Sequence, residues 1–334
     1  MLEPPALNLQ EIRDFLRYSY DAPIAQVEFM PLGVDANNAV YRAIAKDGTD
    51  YFIKLRRGDF NEIAVLLPSY LKQRGVAAVI EPIPTTKQQL WTQLHDYTLV
   101  LYPFVTGGNA FERTFTNGHW QQFGAALRHI HALPIPEPLR PYFRHELFSA
   151  RWRERLTFFM KPRDTYSADP IAIELLTFLG EQQKLVFELI ARATSLAELL
   201  RIAQLEQVIC HGDIHAGNVM IDHNDSIWLV DWDMPILAPK ERDLMFVGGD
   251  QGFVGRSASD EEELFYAEYG SSDLNYAAIA YYRYERIIED IALYCEDILL
   301  QAAAGADRAQ ALHYVKTNFK PDGTIAQARR ADLA

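Results

Sequence analysis

The chain has 334 residues, of which 49% are hydrophobic and 23% charged, enough for one large domain or two lobes with ample core. Its net charge of −13 lacks the basic footprint that a nucleic-acid partner requires and suits a cationic ligand. Two cysteines make no disulfide framework, the first residues lack the basic-then-apolar order of a signal peptide, and no apolar run approaches the ~20 residues that span a bilayer, so a cytoplasmic protein without a membrane partner is expected.

The first hundred residues predict a small mixed lobe. Apolar spacing predicts a helix from Leu9 to Tyr20, then strands at Val27–Pro31, Ala39–Ala45 and Tyr51–Leu55, separated by polar turns at 33–38 and 46–49. Glu62 to Arg74 has helical periodicity interrupted by Pro68, which removes a helix N–H. Gln89–Leu94 and Tyr97–Tyr102 predict a hairpin turning at His95-Asp96. Pro103 and Gly107-Gly108 mark the expected linker at 103–108, between an N-terminal lobe, 1–103, and a C-terminal lobe, 109–334.

The remainder predicts mainly helix. Trp120, Phe123, Leu127 and Ile130 line one helical face, and similar patterns recur at about 146–160, 170–203, 260–269, 274–303 and 307–318. One β-rich island interrupts them, with strands at Gln207–Cys210, Asn218–Asp222 and Ile227–Asp231.

That island carries the chemistry. It reads His211-Gly-Asp213-Ile-His215-Ala-Gly-Asn218, followed by Val230-Asp231-Trp232-Asp233. Phosphoryl transfer from ATP needs one carboxylate to orient the acceptor hydroxyl and take its proton, and oxygen ligands to hold Mg²⁺ on the phosphates. Asp213 and Asn218 share a tight loop, and Asp231 ends an apolar strand that projects back toward it. The protein-kinase catalytic loop H-R-D-x-x-x-x-N, followed by D-F-G, has the same order. Turn chemistry explains any one of these Asp or Asn residues; it does not explain the ordered set. His215 has no second ligand at zinc spacing.

These residues resemble the aminoglycoside phosphotransferase family, whose loop favours H-G-D-x-x-x-x-N. Ala238–Phe246 and Tyr281–Asp290 look like its spectinomycin phosphotransferase branch, and the N-terminal half fits through Tyr51–Leu55, Tyr102–Phe104 and Phe123–His131. The resemblance implies a two-lobed, protein-kinase-like α+β fold with a small β-rich N-lobe and a larger, mainly helical C-lobe. It implies ATP and Mg²⁺ as cofactors, Asp213 as the catalytic residue, Asn218 and Asp231 as metal ligands, and His211 as a brace for the loop. Lys54, the lysine inside an apolar strand pattern, is then expected on the α- and β-phosphates, held by Glu62, the first suitable acid downstream. Gly33 opens the phosphate-covering turn, which has one glycine where protein kinases have three. Pro103 offers a carbonyl and Val105 an N–H to adenine.

The implied acceptor is a small cationic, hydroxyl-bearing molecule: an aminocyclitol or aminoglycoside, spectinomycin foremost, with choline, homoserine, methylthioribose or a sugar as alternatives. Asp233, Glu268 and Glu285 are the expected carboxylates for its amines and Trp232 an aromatic face. Glu241-Arg242-Asp243 is expected to be an ion-pair brace. Intact Lys54, Asp213, Asn218 and Asp231 argue against a catalytically silent nucleotide-binding module, and the lack of an APE-type segment argues against a protein kinase. A monomer is expected.

Overall fold

Short strands with one apolar face close the first sheet. The computed structural model describes residues 4–5, 7–32, 37–161, 169–249, 252–253, 255–270, 273–300 and 305–333. Helix α1 (Leu9–Tyr20), N-capped by the Asn8 side chain, precedes strands β1 (Ile24–Met30), β2 (Asn38–Ala45) and β3 (Asp50–Arg57). Helix α2 (Ile63–Gln73) follows, then β4 (Thr92–Leu94) and β5 (Tyr97–Pro103). The sheet order is β1-β2-β3-β5-β4, antiparallel throughout. Its core joins Ile12 and Leu16 of α1 to Tyr41, Ile53, Leu55 and Leu99. Side chains alternate across a strand, so a core holding Ile53 and Leu55 sends Lys54 to the other face. Helix α2 runs through Pro68, at the cost of the N–H that would have met the Ala64 carbonyl. Burial of Ile63, Leu67 and Leu71 offsets that loss.

The chain packs as two compact units, 1–144 with 213–235, and 145–212 with 236–334. The segment expected as a linker lies inside the first unit. Gly107–Asn109 forms strand β6 and pairs with β9 (Val219–Asp222), which pairs in turn with β10 (Ile227–Leu229). A Cβ on Gly107 would lie 1.9 Å from the Ile221 carbonyl oxygen, so glycine here permits close backbone approach and not chain flexibility. Helix α3 (Asn117–Ala132) starts from a reciprocal box between Thr116 and His119, and buries Trp120, Phe123, Leu127 and Ile130 as the periodicity predicts. The two-residue strand β7 (Arg144–His145) ends this stretch.

The second unit is mainly helical. The pattern over 170–203 resolves into two helices, α5 (Pro170–Glu181) and α6 (Gln183–Ala203), after α4 (Arg151–Phe159). Strand β8 (Val208–Cys210) pairs antiparallel with β11 (Ile236–Ala238). Then come the short α7 (Glu241–Leu244), α8 (Ala258–Tyr269), α9 (Tyr276–Leu299), α10 (Gly305–Thr317) and α11 (Thr324–Asp332). Helix α9 is the axis of this unit: α4, α6, α10 and α11 pack on it, and it is buried on nearly every side. Among the described residues, no helix is long and apolar enough to cross a membrane.

Buried charges in this unit are spent on loop backbone. Arg283 donates to the Met245 and Val247 carbonyls at 3.0 and 2.6 Å. Glu241 accepts the Asn275 N–H at 3.0 Å and Glu261 the Gly248 N–H at 2.9 Å. Such bonds satisfy polar backbone that the fold removes from water.

Gly107→Ala is expected to break the β6–β9 pairing and lower the unfolding free energy by about 2 kcal/mol or more, because the clash is with backbone and cannot be relieved by a rotamer. Urea denaturation with an unchanged wild-type midpoint would show that β6 contributes nothing to the first unit.

Candidate active site

Lys54 leaves the core-free face of β3 among carboxylates. Its ammonium lies 2.6 Å from Asp231 Oδ1 and 2.7 Å from Asp233 Oδ2. Arg56, two residues along the same strand, reaches Asp233 Oδ2 at 3.3 Å. Burial by itself would lower the Lys54 pKa; the charges of Asp231 and Asp233 reverse that and hold it above the ordinary lysine range. Phe60, Val65, Val100 and Tyr102 line the same cleft, and burial pushes the Tyr102 phenol up as well.

Asp231 stands just past the end of β10 with φ +65°, a left-handed turn out of the strand, and about half of its side chain is exposed (48%). The strand end is tied down on two sides. The Leu229 N–H donates to the Ala78 carbonyl at 2.7 Å, and the Val230 N–H to the Asn218 carbonyl at 3.0 Å. The second bond sets Asn218 beside the Asp231 turn.

The loop that carries Asp213 closes through a single 3₁₀ turn, Ala216–Asn218. Asn218 Nδ2 donates to the Asp213 carbonyl at 2.7 Å, which orients the amide and leaves Oδ1 as its acceptor atom. A carboxylate and an amide oxygen on neighbouring segments are hard donors of the kind Mg²⁺ prefers, so the residues present fit that ion. His215 Nδ1 accepts the Gly217 N–H at 3.0 Å, its Nε2 lies 3.8 Å from Asp213 Oδ2, and its ring stacks on Phe111.

Sequence reasoning missed what holds this loop. The fully buried Asp243 accepts the His211 N–H on one oxygen and the Gly212 N–H on the other, each at 2.8 Å. Asp243 thereby clamps the backbone of the two residues that precede Asp213. Gly212 has φ +85°, a conformation that glycine adopts without strain. The available signal was a carboxylate at the head of the apolar run Leu244-Met-Phe-Val247, because an acid drawn into the core with that run demands strong donors.

The other expected residues divide. Glu62 precedes α2 half-buried; among the described residues the carboxylate partners of Lys54 are Asp231 and Asp233, and Glu62 is not one of them. Pro103 ends β5 opposite Tyr51, and Val105, two residues on, has no partner for its N–H among the described residues. Gly33 lies outside the described residues. Asp233, expected at the acceptor, is on the lysine. Trp232 is buried and donates from Nε1 to the Leu229 carbonyl at 3.1 Å. Glu268 is exposed on α8. Glu285 is buried on α9 and meets Arg153 Nη1 at 2.5 Å. Burial pushes its carboxyl up to about 7 against the pull of Arg153.

Known proteins share this arrangement of sequence and fold. The phosphotransferase enzyme family matches residues 28–279. The chain belongs to that family. The phosphotransferase is similar to a spectinomycin phosphotransferase solved with ADP and spectinomycin, at 32% identity over 99% of this chain and 100% of that one, with a TM-score of 0.90. An amicoumacin kinase solved with AMP-PNP and Ca²⁺ matches at 16% identity over 96% of this chain and 97% of that one, TM-score 0.62. A choline kinase from Streptococcus pneumoniae matches at 14% over 97% of each, TM-score 0.55. The last two share the kinase-like fold alone. No curated protein sequence matches the chain. As a member of its family, the phosphotransferase moves a phosphoryl group to a hydroxyl.

Asp243→Ala is expected to strand two buried N–H groups, each worth ~1–3 kcal/mol when unsatisfied. Chemical denaturation should register a loss of about 2–5 kcal/mol, together with reduced turnover. A loss under ~1 kcal/mol would mean that water replaces the carboxylate.

Proposed function

We propose that this phosphotransferase transfers the γ-phosphoryl group of ATP to a hydroxyl of an aminocyclitol antibiotic, spectinomycin. The observation that carries the nucleotide half is the pairing of Lys54 with Asp231, beside an Asn218 amide oriented by the Asp213 carbonyl. Likeness to a spectinomycin- and ADP-bound relative over essentially the whole of both chains supports the acceptor half.

In this reading Lys54 pairs the α- and β-phosphates. Asn218 and Asp231 hold Mg²⁺, which supplies positive charge to the phosphate oxygens. Val105 and Pro103 present an N–H and a carbonyl to adenine. Asp213 orients the acceptor hydroxyl and takes its proton as the new O–P bond forms; the bond from the γ-phosphorus to the bridging oxygen breaks, and ADP leaves. Asp243 holds the backbone that precedes Asp213, and His215 the Gly217 N–H that follows it. Asp233 and Glu285 are engaged by Lys54 and Arg153, so the amines of the acceptor are not assigned to them; Glu268 is the expected carboxylate that lies exposed. The net charge of −13 favours encounter with a cation.

Asp213→Asn should lower kcat by ~10²–10⁴-fold while MgADP binds as tightly as before. Near wild-type kcat at saturating substrates would remove Asp213 from the base role. The acceptor is tested by coupled ADP release with spectinomycin, a kanamycin-type aminoglycoside, choline and homoserine. Spectinomycin is expected to give the highest kcat/KM, falling as ionic strength rises. ADP release with choline or homoserine alone would move the enzyme to the small-metabolite kinases.

A further inference from the structure

We infer that Asp233 is the anchor that keeps Lys54 on the nucleotide phosphates, and that it does so by releasing Asp231 to the metal. The inference rests on the nucleotide site proposed above and extends it to a positioning residue outside the catalytic loop.

Lys54 has two carboxylate partners at nearly equal distance, Asp231 at 2.6 Å and Asp233 at 2.7 Å. Only one of these contacts survives catalysis in the proposed site. Asp231 must turn its charge to Mg²⁺, and an ammonium at 2.6 Å competes for the same oxygen. Asp233 carries no such obligation. It also has a second cation, Arg56, on the same Oδ2 at 3.3 Å, and it is more enclosed than Asp231, with 20% against 48% of its side chain exposed. An ion pair in a more enclosed place is screened less and held more firmly.

The charges count the same way. Lys54 and Arg56 bring two positive charges, Asp231 and Asp233 two negative ones. With Asp231 given over to the metal, Lys54, Arg56 and Asp233 leave one net positive charge facing the polyphosphate. Without Asp233, the ammonium would close on Asp231 alone and compete with the metal for it.

The local structure is built to keep both acids on this face. Trp232 separates them, is 4% exposed, and is pinned by its Nε1 bond to the Leu229 carbonyl. Asp231 and Asp233 flank this fixed indole in the turn that leaves β10, and both carboxylates reach Lys54 from there. Glu62, the acid expected from sequence order, is not bonded to Lys54 among the described residues.

The test is calorimetric titration of ADP, with Mg²⁺ and in EDTA, into the full chain and into Asp233→Asn, Asp233→Glu and Glu62→Gln, each checked by thermal unfolding. Asp233→Asn should weaken MgADP by roughly tenfold or more while metal-free ADP binds no worse, since removing an anion does not hurt a bare polyphosphate. Asp233→Glu should recover part of the loss, and decides the matter by the same metal dependence if the asparagine variant does not fold. Equal weakening with and without Mg²⁺ would mean a merely structural role and overturn the inference. So would unchanged MgADP affinity, or a larger loss in Glu62→Gln than in Asp233→Asn. Wild-type chain that binds no MgADP would overturn the nucleotide site itself and the anchor with it.

Discussion

An ammonium taken out of water inside a sheet has to be neutralised where it stands, since an unpaired buried charge costs several kcal/mol or more. Strand β3 supplies the ammonium, yet its neutralising acids, Asp231 and Asp233, come from the far side of the sequence, the first of them 177 residues later. That separation explains why the β9–β10 ribbon belongs to the same unit as the first sheet. The ribbon is stitched in by β6 at one edge and by the Ala78 carbonyl at the other. Once the ribbon is in place for the lysine, the Asp231 turn and the Asn218 amide fall beside it. The site's electrostatics and the unit's architecture are one requirement.

What the sequence made legible follows from distance along the chain. His211, Asp213, Asn218 and Asp231 lie within one short stretch, so their order and spacing can be set beside a kinase loop directly. The helix over Leu9–Tyr20 and the buried face of α3 are equally local, set by periodicity. Lys54 was readable because a lysine amid Tyr51-Phe-Ile needs a reason. Its partner was not: the first suitable acid downstream, at the start of the next helical pattern, is Glu62, and only the three-dimensional pairing brings in Asp233. Asp243 was hidden likewise, since its bonds to His211 and Gly212 cross 32 and 31 positions. The pairing of β6 was hidden for a different reason: two adjacent glycines after a proline read as a linker, and only the structure shows that the missing side chain at Gly107 admits a neighbouring strand. Helix α11 and strand β11 carry patterns too short to stand out.

The acidic composition also reads differently in three dimensions. Two of the three acids expected to wait for a cationic acceptor are engaged at home, Asp233 by Lys54 and Glu285 by Arg153. Other acids, Glu241, Glu261 and Asp243, hold loop amides. The interior of the second unit is stiffened by charged groups at the places where helices give way to loops. Relatives with this fold are named for acceptors as different as spectinomycin and choline.

The interleaving of the two units has a consequence for how the protein is made. The first unit needs residues 213–235, and these leave the ribosome only after the whole of 145–212. At ~5–20 residues per second, the first sheet waits on the order of several seconds, with Lys54 unneutralised and the β6 edge open. During that interval strand β6 lacks its partner β9, and the first sheet carries a charge without its acids. The contacts that complete the first unit are long-range in sequence, the kind that form late because loop closure precedes them.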